Sequence, residues 1–248
     1  RISWNKLILE TIPETSGSLE LILIAAERKG LHSDLQVKSI NPYIPLIEDF
    51  ESYKKNTLNK GVRKEFNRTE NRLNKLDKGW HFLEAKTAKD RKLLFDSLVS
   101  FHEKRQLDKV GKSIFSSEAN KEFFKKLLVD QSFSLKLSLS AIILNQIPIS
   151  ACFSIKEEEV YYYWIPSFDP DFKGGSIGSF HLSLLVEESI NEGYRIFDFM
   201  GGDEPYKLKW TKESYKNYKV TLYKSSLEKE LDKIKSILRS KMKLLLDN

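Results

Sequence analysis

Seven consecutive residues, Lys173-Gly174-Gly175-Ser176-Ile177-Gly178-Ser179, combine one cation, three glycines and two hydroxyls at the start of an amphipathic stretch. A glycine-rich turn entering a helix presents unpaired backbone N–H groups and the positive end of the helix dipole. That chemistry suits an anion such as the diphosphate of a cofactor. Some twenty residues on, Gly201-Gly202-Asp203-Glu204-Pro205-Tyr206-Lys207-Leu208-Lys209-Trp210 gathers two carboxylates, a phenol and two amines. Acidic and phenolic groups just past a buried strand are placed where reacting groups collect in open α/β sheets. Together the two clusters read as an enzyme that holds a phosphate-bearing ligand.

The elements that must position these clusters follow from periodicity. The turn opens a helix that runs to Glu192-Gly193, and Tyr194–Met200 reads as a buried strand emptying into the acidic loop. Upstream, Trp80–Ala85 is a strand, and Thr87-Ala88-Lys89-Asp90 is a capping-box-like start to a helix through Gln106. Ser116 or Ser117 opens another helix with Phe123, Phe124, Leu127 and Leu128 inward. Three strands follow: Phe133–Ile143, Ile147–Ile155 after a turn at Asn145-Gln146, and Val160–Ile165. Alternation along the last sends Tyr161 and Tyr163 to one face, and Tyr162 and Trp164 to the other. A short helix around Trp210, a strand over Lys216–Lys224 and a closing helix capped by Ser225 or Ser226 complete the series.

Before Trp80 the pattern is less regular. A strand over Trp4–Glu10, a helix from Ser16 or Ser18 to Leu31 with Gly30 as its stop, and a strand over Asp34–Ile40 precede Pro42 and Pro45, which mark a connector. From Asp49 a basic helical stretch, broken near Gly61, runs to Leu76 before Asp77-Lys78-Gly79. Its cations read as a solvated face opposite Leu58, Val62, Phe66, Leu73 and Leu76. No aromatic residues interleave with the cations as a base-stacking surface requires, which counts against nucleic acid as a partner.

Composition narrows the class. With 40% hydrophobic and 31% charged residues over 248 positions and a net charge of +6, the chain reads as an ordinary folded protein. It holds no apolar run of membrane-spanning length. It begins with Arg1, not Met, so it reads as a fragment and a missing leader carries no information. The single Cys152 lies in an apolar strand and reads as a small buried hydrophobe, in a reducing compartment. His32, His81, His102 and His181 are scattered without ligand spacing, so no metal is expected.

The order of elements, with three antiparallel strands entering a glycine loop and helix, resembles the GNAT acyltransferase fold, an α/β (α+β) class. More narrowly, Phe197-Asp198-Phe199 followed by Gly202-Asp203-Glu204, Tyr206-Lys207 and Trp210 resembles the GNAT-type acetyltransferases associated with cellulose and exopolysaccharide biosynthesis. Phe101-His102-Glu103-Lys104-Arg105 and the start of the basic helix at Phe50-Glu51-Ser52-Tyr53 agree with that family. Its glycine loop departs from the family pattern, which carries a second basic residue, an aromatic and a proline. The family and the related Fem aminoacyl-transferases carry tandem GNAT-like units. The resemblance therefore implies a partial unit over residues 1–45, a basic linker over 46–79, a complete unit over 80–225 and an amphipathic terminal helix over 226–248.

It also implies acyl transfer from acetyl-CoA or another acyl-CoA by direct attack of an amine or hydroxyl on the thioester. The cofactor would lie on Lys173, Gly174, Gly175, Ser176, Ile177, Gly178 and Ser179. Candidate proton acceptors are Glu204, Asp203 and His102, and Tyr206 is the candidate acid for the departing thiolate. Arg105, Tyr163, Lys207 and Trp210 are candidate substrate-binding residues. Simpler readings stand beside these: a cap made by Asp203-Glu204, a core pair of Tyr206 and Trp210, a solvent Lys207, and a surface pair of His102 and Arg105. The implied acceptor is a small molecule or a cell-envelope precursor, in the cytoplasm. The alternatives are a Fem-like transferase using aminoacyl-tRNA and a non-catalytic GNAT-like module in polysaccharide synthesis. The terminal helix, with Leu227, Leu231, Ile234, Leu238, Met242 and Leu245 on one stripe and lysines opposite, suits docking on its own domain or peripheral membrane contact.

Overall fold

The computed structural model describes residues 4–76, 79–107, 112–129 and 136–246. The expected strand residues Phe133–Leu135, the turn residues Asp77 and Lys78, and the side chain of Leu245 lie outside the described residues. The chain divides into two compact units: residues 1–41 with 201–203 and 214–248, and residues 42–200 with 204–213.

In the first unit, β1 (Lys6–Pro13) pairs antiparallel with the strand Ser214–Tyr223. Helix α1 (Ser18–Arg28) packs Leu19, Ile22, Leu23 and Ala26 on Ile12, Val220 and Leu222. Gly17 and Gly30, at φ 66° and 64°, bound that helix in the left-handed conformation that glycine adopts without cost. Strand β2 (His32–Pro45) contributes its first part to this unit and its last residues, from Pro42, to the second.

Pro42 and Pro45 therefore do not end the strand as expected. The Pro42 carbonyl accepts the Phe199 N–H at 3.0 Å, and Tyr43 and Pro45 keep register with Asp198 and Ile196. A proline removes a donor but leaves its acceptor, which is all this short ladder asks of it.

The second unit opens with α2 (Phe50–Asn56) and α3 (Lys60–Asn74), separated by a cap at Asn59 whose side chain accepts the Gly61 N–H. Leu58, Val62, Phe66 and Leu73 are buried as the amphipathic reading required, Phe50 and Tyr53 are buried beside them, and Leu76 stays exposed. Then come β3 (Trp80–Glu84), α4 (Ala88–Leu107) and α5 (Glu118–Val129). Thr87 and Asp90 exchange backbone-to-side-chain bonds of 3.1 Å each, the reciprocal capping box anticipated at the start of α4.

The meander is β4 (Lys136–Leu144), β5 (Ile147–Glu157) and β6 (Val160–Phe168), followed by α6 (Ile177–Asn191) and β7 (Ile196–Asp198). A turn of 3₁₀ helix, Lys207–Lys209, precedes β8 (Ser214–Tyr223), and α7 (Ser226–Leu246) closes the chain. Strand order in the second unit is β2-β7-β6-β5-β4-β3, antiparallel except for the parallel pair β6–β7. Helix α6 covers one face, over Cys152, Tyr161, Tyr163 and Phe197; α4 and α5 cover the other, over Leu139, Ala141, Ala151, Phe153 and Ile165.

Helix α7 docks by polar contacts, not by its apolar stripe. Asp232 accepts from Lys6 Nζ and the Tyr223 hydroxyl at 3.0 Å each, and Ser225 Oγ caps its first turn through the Glu228 N–H. Leu227, Leu231, Ile234, Leu238 and Met242 remain exposed. Among the described residues no helix is long and apolar enough to cross a membrane.

Candidate active site

Two local devices open a gap beside β6. Phe153 pairs with Ile165 and Ser154 with Tyr163, so Trp164 is an extra residue bulged out of the ladder. A bulge bends its strand and increases its twist. It also turns Ile165 and Trp164 to the same side, against the α4–α5 core, while Tyr161 and Tyr163 stay on the α6 side. β7 meanwhile stops early. Its ladder with β6 runs only from Val160↔Ile196 to Tyr162↔Asp198, and β6 continues six residues further to Phe168. The buried Asp198 carboxylate accepts the Met200 N–H at 2.6 Å, and Met200 takes φ 58°, which turns the chain out of the strand. The expected strand to Met200 is thus three residues long.

The glycine loop lies at the far end of β6. Ser176 is the N-cap of α6 but makes no side-chain cap bond, so the first-turn amides lack that partner. Its hydroxyl donates instead to the Glu65 carboxylate of α3. Added Cβ atoms would meet the Phe172 ring at Gly174, Thr69 Oγ1 at 2.7 Å at Gly175, and Phe168 Cδ1 at 2.8 Å at Gly178. Gly175 also sits at φ 116°, a conformation side chains rarely adopt. Ile177 is buried in the core, Ser179 is half-buried, and the exposed Lys173 bonds the Pro170 carbonyl through Nζ at 3.3 Å. Lys64 and Arg68 of α3 line a recess with Glu65 and Lys209, and none of these three cations has an ion-pair partner among the described residues. Thr69, Phe168 and Lys209 were not read from the sequence as site residues. The one available signal was Thr69, a polar residue at an inward position between Phe66 and Leu73.

The structure brings Arg105, Tyr163 and Tyr206 together. Arg105 Cζ lies 3.9 Å from the centre of the Phe168 ring. Burial works against its charge, and the phenols of Tyr163 and Tyr206 act on it in the opposite sense. Tyr163 is buried against Phe197 and Phe199, and burial lifts its phenol well above the ordinary range. Tyr206 keeps 41% of its surface exposed. The protein packed about its ring, then the Glu204 carboxylate, raise its phenol, so it carries its proton at neutral pH. Glu204 is exposed and paired at 2.8 Å with Lys207, whose ammonium is buried and not the solvent group of the simpler reading.

Three candidates are placed elsewhere. Trp210 is 2% exposed within the α6-side core, and its carbonyl accepts the Tyr53 hydroxyl at 2.6 Å, so its ring offers no surface to a substrate. The core pair of Tyr206 and Trp210 does not form either, since Tyr206 faces out. His102 is half-buried, with Nδ1 2.8 Å from Ser113 Oγ and its ring against Phe115. Burial first, and Arg105 second, depress its pKa, so the ring is neutral at pH 7. Asp203 is exposed and belongs to the first compact unit. Cys152 is wholly buried, and burial pushes its thiol up to about 12, which leaves it inert. Among the described residues no cluster of three metal-ligating side chains occurs.

A family model described as an acetyltransferase (GNAT) domain matches residues 60–208, more than half of the 248-residue chain. The chain belongs to this GNAT acetyltransferase domain family. Solved structures share its fold at low identity. FemX matches with TM-score 0.64 and 9% identity, over 87% of this chain and 71% of that one. A C-terminal domain from Agrobacterium fabrum, named for a lysylphosphatidylglycerol synthetase, gives 0.61 and 11% identity over 94% and 72%. L-PGS from Bacillus licheniformis gives 0.56 and 13% identity over 88% and 68%. No match was found among curated proteins. The α/β GNAT-like fold expected from the order of elements is borne out, and the protein is an acyltransferase of that family.

Proposed function

We propose that this GNAT-family protein transfers an acyl group from acetyl-CoA, or another acyl-CoA, to an amine or hydroxyl of a small or cell-envelope acceptor. One observation carries the reading. The β6–β7 ladder ends at Tyr162/Asp198 while β6 runs on toward the uncapped start of α6. A pantetheine-sized arm fits a gap of this kind because β6 beyond Tyr162 presents backbone groups that β7 no longer pairs. The residues at the mouth fit a diphosphate. The first-turn amides of α6 have no side-chain cap, and Lys64, Arg68 and Lys209 outnumber the single Glu65 carboxylate around the recess. Diphosphate binding would displace Glu65 from Ser176, whose hydroxyl donates to that carboxylate.

The thioester supplies the activated acyl group; the chain supplies position and proton handling. Tyr206, held protonated, donates to charge developing on sulfur. With His102 outside this cluster, the exposed Glu204 carboxylate is left to accept the acceptor's proton. Glu204 sets the field at Tyr206 and positions Lys207. Isothermal titration against acetyl-CoA and free coenzyme A tests the reading. A dissociation constant in the range of about 1 μM to 1 mM is expected, and no heat at millimolar ligand overturns it.

A second reading, transfer from an aminoacyl-tRNA, is favoured by Lys64, Arg68 and Lys209, which line one recess with Glu65 and have no ion-pair partner among the described residues. A cationic recess of this kind binds a nucleic-acid backbone as readily as a diphosphate. Salt-dependent tRNA binding without coenzyme A affinity would reverse the order of the two readings. An acceptor from polysaccharide assembly, and a site of action in the cytoplasm, belong to the proposal on the strength of the motif resemblance alone.

A further inference from the structure

The core-facing side of α4 carries Leu94, Leu98 and Phe101 in succession, all buried against the sheet. Arg105, four residues past Phe101, takes the next inward position at the helix end. A guanidinium there is costly to desolvate without an anion. Among the described residues none is supplied: the guanidinium meets the Phe168 ring, and the ionisable groups that act on it are the phenols of Tyr163 and Tyr206. Asp171, on the loop just after Phe168, is engaged by Lys104 at 3.1 Å. Phe168 packs against the Cβ-less face of Gly178. The guanidinium is thus stacked on a packed ring, with its planar fork of N–H donors uncommitted to any carboxylate of the described residues.

Position separates this group from the diphosphate. Arg105 lies within electrostatic reach of Tyr206, the proposed acid at the sulfur, whereas Lys64, Arg68 and Lys209 line the recess at Glu65.

We propose that Arg105 is a specificity-determining residue that binds an oxyanion, carboxylate or phosphate, carried by the acceptor. This inference rests on the acyl-transfer reading for the word acceptor, and its anion preference stands on the geometry alone. Stacking fixes the plane of the fork, so a bidentate partner loses less freedom on binding than it would with a mobile side chain.

The test compares matched pairs in the absence of coenzyme A. N-acetylglucosamine 6-phosphate is titrated against N-acetylglucosamine, and N-acetylglycine against N-acetylglycinamide, on the wild-type chain, Arg105→Gln and Arg105→Lys. At least one charged member is expected to bind about tenfold or more tighter than its neutral partner, because a charge-assisted bidentate pair is worth that much. The phosphate and carboxylate pairs distinguish the two oxyanions. Arg105→Gln should erase the difference and leave the neutral member unchanged. Arg105→Lys, which keeps the charge and loses the fork, should restore part of it. Equal binding of both members in both pairs overturns the inference, as does weakening of charged and neutral members alike in Arg105→Gln. An anion preference without acetyl-CoA binding would remove the acyl-transfer reading and leave this one standing. Acetyl-CoA binding without the preference would do the reverse.

Discussion

Two turns flank the far end of β6, and they are held in opposite ways. The turn entering α6 is shaped by what is missing: Phe172, Thr69 and Phe168 fill the places where Gly174, Gly175 and Gly178 would carry a Cβ. The segment Glu204–Glu213 is shaped by anchors. Glu204 pairs with buried Lys207, Tyr53 bonds the Trp210 carbonyl, and Thr211 Oγ1 donates to the Tyr43 carbonyl at 2.7 Å. A turn shaped by exclusion presents its backbone and leaves little room for side chains, which is what an anion needs. A segment pinned at points leaves residues between them exposed, and Tyr206 is one of them. The difference is one of chemistry as well as mechanics, since the first region offers amides and the second a proton.

The anchored segment breaks most completely at Trp210. Trp210→Ala removes a core side chain that is 2% exposed, and about 3–5 kcal/mol of stability should go with it. Denaturant titration measures the loss. If it is under about 1 kcal/mol, Trp210 is not an anchor. Tyr206→Phe should do the opposite, leaving the melting temperature near wild type while lowering kcat about 100-fold, the usual scale for a lost proton donor. Steady-state rates with acetyl-CoA saturating check it. An unchanged kcat would put Tyr206 outside the chemistry and remove the functional half of the contrast.

The α6 region depends on burial in a way that pH exposes. His181 is buried, contacts Ser140 Oγ through Nε2 at 3.1 Å, and burial depresses its pKa to about 3. The native state thus excludes a proton that the unfolded chain accepts below an ordinary pKa of about 6.5. Its contribution is full above that value and is lost as pH falls, at up to about 1.4 kcal/mol per unit. Between pH 6.5 and 5 the wild type should lose about 2 kcal/mol more than His181→Gln, which keeps a polar partner for Ser140 and cannot titrate. Parallel stability curves for the two proteins would show that α6 is not held this way.

How much of this was legible depended on range. Devices contained within a few residues were readable: the Thr87/Asp90 box, the break near Gly61, and the inward stripe of α3. The turn at Asn145-Gln146 was readable too, and both residues have positive φ. What required distant partners was not. Pro42 and Pro45 read as breakers because nothing local reveals that Phe199 and Arg195 bond the strand around them. Trp164 is one aromatic among several, and only register against Phe153 and Ser154 makes it a bulge. At the site, the glycines were visible but the side chains that demand them were not. Thr69, Phe168 and Phe172 lie far apart in sequence or outside any periodic pattern. Arg105 was found by motif; its stacking on Phe168 was beyond sequence reach.

The smallest expected effect is the sharpest test of the excluded turn, because it can be taken apart. Gly175→Ala forces a side chain into φ 116° and places its Cβ 2.7 Å from Thr69 Oγ1. Backbone strain and the contact together should cost about 1–2 kcal/mol. Thr69→Ala removes the offending oxygen and leaves only Thr69 Cβ, 3.4 Å away, which is ordinary contact. The double variant should therefore recover the steric part and keep the backbone part, giving a coupling energy of about 0.5–1 kcal/mol in a double-mutant cycle. Strict additivity would mean that Thr69 yields freely and that φ alone fixes this turn. In that case the contrast with the anchored segment narrows to conformation, and packing drops out of it.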